Sequence, residues 1–152
     1  MKKSEVNLYY IKSNFEKIIY RLCKKLHFNG FKIYLNLKNE AELKKIDSFF
    51  WTFEKTSFLP HLTYADEKDY GINPIFLNSE YKSAHDSQIS KYDIIISSPE
   101  AKLKKLEPSK KYFFFSNSMD KTEYLNIKKK FEVKGFPVKT FIEYSNLKWE
   151  KV

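Results

Sequence analysis

Glycine is almost missing from this chain: three in 152 residues, at positions 30, 71 and 135. Nucleotide-binding α/β sheets place glycines in the first strand-to-helix turn, so that backbone can approach the phosphates. The corresponding turn here, "IKSNFEK" (11–17), has none, which argues against dinucleotide and P-loop roles. A Gly-x-Ser-x-Gly nucleophile elbow is absent too. Cysteine occurs once, as Cys23, and this excludes an internal disulfide framework. No apolar run approaches the ~20 residues of a membrane span. The start, "MKKSEVNLYY", lacks the apolar centre of a signal peptide. These absences set the expectation of a cytoplasmic protein with no membrane contact. Arginine is nearly absent as well: Arg21 is the only one, and every other basic side chain is lysine or histidine.

What is plentiful is aromatic. Phe, Tyr and Trp make up 18% of the residues, with 14 Phe and 11 Tyr, inside an apolar fraction of 42%. At this length one domain, 1–152, is expected, able to bury about 68–70% of its unfolded surface. The formal net charge of +9 suggests an anionic partner. Abundant Lys, Asn, Ile, Phe and Tyr also fit compositional drift in an AT-rich genome, so the position of the lysines says more than their number.

The apolar pattern reads as alternating strands and helices. "VNLYYIK" (6–12) is rich in strand formers. Phe15, Ile18, Ile19, Leu22, Cys23 and Leu26 then form one face of a helix, stopped by Gly30. "FKIYLNL" (31–37) alternates Phe31, Ile33, Leu35 and Leu37 as a second strand. Asn39 and Glu42 form a capping box for a second helix. That order predicts a βαβ unit with a parallel pair. Residues 63–74 read as a loop, 74–78 as a brief strand, 79–91 as a loop or short helix, and "YDIIISS" (92–98) as a buried central strand. "KKYFFFSN" (110–117) follows as a strand, and Asp120 with Glu123 caps a third helix that ends at Gly135. Segments 136–144 and 147–152 close the chain as a hairpin turning at Ser145-Asn146. The expected fold is a three-layer α/β/α domain with a mostly parallel open sheet and C-terminal antiparallel strands, Rossmann-like without a nucleotide-binding loop.

No residue set proposes a reaction. His27, His61 and His85 are far apart, and Asp47, Asp66, Asp69 and Asp93 are scattered without metal or acid–base spacing. Cys23 and His27, four apart on a helix, have the spacing to share a metal, against the simpler reading of a thiol buried in the apolar stripe. His61, after Pro60 in a turn-like stretch, reads as a structural histidine without an identifiable partner. No catalytic residue, metal, cofactor or small-molecule substrate is expected.

The densest cluster is "IDSFFWTFEKTSFLPH" (46–61). Leu43, Ile46, Phe50 and Phe53 fall on one helical face, and Trp51 lies about 100° round the axis from Phe50. One sheet cannot cover both with equal ease. Trp51, joined by Phe58 beyond the turn, is either an exposed anchor of the kind interfaces favour or is covered by a neighbouring loop or hairpin.

This stretch resembles the signature of the chi subunit of bacterial DNA polymerase III. Asp47, Trp51, Phe58, Pro60 and His61 stand where that family has an Asp, an apolar pair ending in Trp, a short turn, and Phe-apolar-Pro-His. "NLYYI", "NGFKIYLNLKNEAEL", "NPIFLN", "YDIIISS" and "GFPVKTFIE" are similar to its other segments, over about 140 residues. The resemblance implies a non-catalytic accessory of the clamp loader. One surface would hold a psi-like subunit or a helicase-like repair protein, with Trp51 and Phe58 as anchors and Pro60 and His61 holding the turn. Another would hold the acidic C-terminal tail of single-stranded DNA-binding protein, giving indirect contact with single-stranded DNA.

Charge places that second surface on the third helix, "DKTEYLNIKKKFEVKG" (120–135). Lys121 and Lys128 share a face, Lys129 and Lys134 are near, and Tyr124, Ile127 and Phe131 form an apolar side. A lysine row beside an aromatic groove suits an acidic peptide ending in an apolar residue, although it also describes a solvated helix face. Lys121, Tyr124, Lys128 and Phe131 are the expected tail-binding residues. The family carries arginine centrally in this helix, and this helix has none. Counting back from Gly135 puts Leu125 at that place and Lys121 one turn earlier, and a one-residue shift changes the assignment. Lysine lacks the planar fork that grips a carboxylate by two bonds. The rival reading is a domain that binds single-stranded nucleic acid directly through lysines and aromatic rings. A degenerate α/β enzyme is a third.

Overall fold

The computed structural model describes residues 5–53, 59–63, 75–79, 92–101, 110–117, 121–145 and 148–151; within 121–133 it describes no side chain at 121–124 or 127. The elements run β1 (Glu5–Tyr10), α1 (Phe15–Phe28), β2 (Ile33–Leu37), α2 (Glu40–Thr52), β3 (His61–Thr63), β4 (Ile75–Ser79), β5 (Ile94–Ser97), β6 (Lys111–Ser116), α3 (Lys121–Val133), β7 (Val138–Ser145) and β8 (Lys148–Lys151). The strands make one sheet in the order β3-β4-β2-β5-β6-β1-β7-β8. Every pairing is parallel except β7 with β8.

Two apolar layers flank the sheet. On one side Ile33, Leu35 and Leu37 of β2 meet α1 and α2 through Ile19, Cys23, Ile46 and Phe50. On the other, Tyr34, Tyr112 and Val6 form a second core to which Phe131 of α3 packs. This is the expected three-layer arrangement, and it explains why β2 is buried at all five positions. A parallel strand covered on both faces cannot keep an apolar/polar alternation.

Local chemistry fixes the helix ends. Asn14 caps α1 by accepting from Lys17 N, 3.2 Å away. On α2, Asn39 Oδ1 accepts from Glu42 N at 2.8 Å, while Glu42 Oε1 accepts from Lys38 N at 3.0 Å. The capping box is therefore present with its return bond one residue early. Gly30 and Gly135, past the ends of α1 and α3, have φ of +86° and +84°, the left-handed region that favours glycine at a helix stop. Asn39→Ala should lower stability by about 1 kcal/mol, since one cap is lost; urea denaturation would measure it.

Several expectations need correction. β1 and β2 run parallel but do not pair, because β5 and β6 lie between them. Phe31, expected at the start of β2, lies outside the strand and is exposed. His61–Thr63, where the sequence predicts a turn and the start of a loop, is a strand at the sheet's edge. Ser145 ends β7 and is not in the turn, while Asn146 lies outside the described residues. So do Asp120, Phe58 and nearly all of the expected 63–74 and 79–91 segments. Cys23 sits fully buried in the α1 stripe, where burial pushes its thiol pKa up. Among the described residues no group of three His, Cys, Asp or Glu could hold a metal, and no helix is long and apolar enough to cross a membrane.

Candidate partner-docking site

α2 turns its last two turns toward the sheet edge formed by β3. Phe50 is buried at 1% exposure against Tyr20 and His61, whereas its neighbour Trp51 is 55% exposed. The geometry settles the competition read from the helical wheel: the sheet takes Phe50 and leaves the indole outside. Phe53 and Phe49 are half-buried and stacked on each other, with ring centroids 4.6 Å apart.

His61 organises this end. Its Nδ1 donates to Leu59 O at 2.7 Å. Nε2 stands 2.9 Å from Asp47 Oδ1, at an angle that departs from an aligned hydrogen bond. Asp47 and Trp51 are one helical turn apart, so both reach the same ring, and the indole lies 4.8 Å from the imidazole, centroid to centroid. The partner missing from the sequence reading of His61 is thus Asp47. Spacing alone could not pair them, because β3 was not recognisable as a strand. Pro60 is half-buried, and its carbonyl accepts from Ile75 N at 3.0 Å, fastening β3 to β4. Trp51, Pro60 and His61 come together; Phe58 lies outside the described residues.

The third helix gives a different picture. Lys128 and Phe131 are both half-buried. Phe131 stacks on Phe114, 5.1 Å between centroids, and borders a cavity of about 310 Å3 with Tyr10, Ser98, Glu100, Phe114 and Asn117. Lys121 and Tyr124 lie on the helix, without a described side chain. Leu125 is exposed.

That cavity opens at the carboxyl ends of β1 and β6. The two strands leave in opposite directions, β1 through α1 to β2 and β6 through α3 to β7, on opposite faces. Such a switch point is where doubly wound sheets bind their ligands. The backbone donors that would hold a phosphate are occupied, however. Glu143 of β7, with no exposed surface, reaches under the first turn. Its Oε1 accepts from Lys12 N at 2.6 Å and Ser13 N at 2.7 Å, and its Oε2 accepts from Ser13 Oγ. An internal carboxylate fills the anion position, which agrees with a first turn that has no glycine. Across the mouth, Ser98 Oγ donates to Glu42 Oε1, joining the end of β5 to the start of α2.

A family model described as DNA polymerase III chi subunit, HolC, matches residues 4–131 of the chain. No curated protein matches it significantly.

Proposed function

The chain belongs to the DNA polymerase III chi subunit family, and on that basis we propose that it is a non-catalytic accessory subunit that ties a psi-like clamp-loader subunit to the acidic C-terminal tail of single-stranded DNA-binding protein. Membership itself assigns the chain to the polymerase III complex and to DNA replication. The partners and residues are our reading.

One observation carries it: an indole more than half exposed, braced by a buried histidine at the edge of the sheet. A rigid aromatic on a rim loses little freedom on binding and offers a large apolar area, which is what an interface anchor needs. In this reading Trp51 and Phe58 are the anchors for the psi-like subunit, or for a helicase-like repair protein as its alternative. Pro60 and His61 hold the strand beneath.

The acidic tail docks along α3. Lys121, Tyr124, Lys128 and Phe131 recur at helical spacing, and the cavity beside Phe131 has room for one apolar side chain. Lysine point charges attract the tail's carboxylates without the bidentate grip of arginine, so this contact is salt-sensitive. Lys128→Glu should weaken binding of an acidic tail peptide about fivefold, and added salt should weaken the parent protein's binding as well. Calorimetric titration with the peptide and, separately, with the psi-like subunit tests the reading. Complexes of one to one with each are expected; no heat with either would overturn it.

A further inference from the structure

A second concavity lies on the opposite face of the sheet from α3, between α1 and β8. It encloses about 280 Å3, walled by Tyr9, Leu22, Phe115 and Trp149, with the exposed Arg21 and Lys25 beside them. Arg21 and Lys25 are four residues apart, so they project from one side of α1, roughly 6 Å from each other along the axis. Lys17 continues the row one turn earlier. On β8, Trp149 and Lys151 are two residues apart and share a side of the strand, while Glu150 alternates to the other.

This surface carries charge of one sign. The acidic residues near it are already engaged: Glu16 pairs with Lys45 at 2.6 Å, and Glu143, opposite Trp149 in register, is fully buried and accepts from the Lys12 and Ser13 amides. Among the described residues, Arg21, Lys25 and Lys151 form no ion pair. The aromatic wall is already ordered. Tyr9 stacks on Phe115 and Phe141 at 5.2 and 4.8 Å and meets Trp149 edge-on at 5.1 Å.

We infer that this groove is a contact site for single-stranded nucleic acid, one base lying against the Trp149 ring, which Tyr9 braces edge-on, and the flanking phosphates lying on Arg21, Lys25 and Lys151. A cation on each turn of a helix matches a ligand whose negative charge repeats, and the arginine fork suits phosphate oxygens. Aromatic walls accept any base, because every base has a π face. The inference stands apart from the partner reading, since it requires no other protein.

Anisotropy of a labelled oligothymidylate, titrated with the full chain at low salt, tests it. A Trp51→Phe background leaves Trp149 as the one remaining indole, because the chain has two tryptophans. Binding should quench that indole, and log affinity should fall against log salt with a slope of about −2 for three phosphates. Arg21→Glu with Lys25→Glu, both at exposed positions, should weaken binding at least about tenfold. A matched reversal at Lys44 and Lys130, exposed on α2 and α3, should change it less than about twofold. The assignment fails if the oligonucleotide does not bind, if it binds without quenching, or if both reversals weaken it equally. It fails too if an acidic peptide quenches Trp149 and displaces the oligonucleotide, since the groove would then belong to a peptide.

Discussion

Replacing Trp51 with alanine should weaken binding of a psi-like subunit by about 30-fold or more, the loss typical of an aromatic hot spot near 2 kcal/mol. The expectation rests on what surrounds the indole. The side chain is 55% exposed, while its inner face lies on His61, whose ring is itself fixed by Leu59 O. A partner therefore meets a side chain already ordered, and the loss on truncation is mostly contact area. Removing a rim residue opens no core cavity, so the melting temperature should move by only a few degrees. Binding and thermal unfolding measured on one variant separate the two effects. Normal affinity in Trp51→Ala would move the docking face elsewhere; collapse of the fold would show the indole to be a core residue.

Glu143→Leu should cost about 3–5 kcal/mol of stability. Leucine fills much of the same space but accepts nothing, so the amides of Lys12 and Ser13 lose their acceptor beneath the first turn. A donor left unpaired away from water costs about 1–3 kcal/mol, and these two amides are part-buried. In a chain of this length the melting temperature should fall by roughly 10 °C or more. Glu143→Gln is the informative companion. Its remaining carbonyl oxygen can still accept from both amides, so its loss should stay near 1 kcal/mol. Calorimetric melts of both variants decide the matter. Equal, small losses would mean that the turn holds itself and the carboxylate is incidental.

The sequence carried the layers further than it carried the site. Apolar spacing in α1 and α2 was strong enough to name the buried residues Ile19, Cys23, Ile46 and Phe50, because a 3.6-residue period survives any tertiary context. The same periodicity could not say that β5 and β6 would insert between β1 and β2. Pairing order depends on where crossovers go, and no local pattern records that. β3 was missed because three residues are too few to show a period of two. At the site, the contest between Phe50 and Trp51 was readable from the wheel, but its winner depended on the sheet edge. Glu143 was invisible for a related reason: its partners are some 130 residues earlier, and a glutamate in a terminal strand looks like any solvent-facing charge.

The strand order also acts as a ruler. From β3, beside Trp51, to β6, which Phe131 covers through Phe114, there are four inter-strand steps of about 4.8 Å, or roughly 19 Å. Two proteins held at those places need not collide, and neither has to leave for the other to arrive. Where the two partners are themselves joined, the second attachment becomes intramolecular across that span, so two individually weak contacts hold more firmly than either alone.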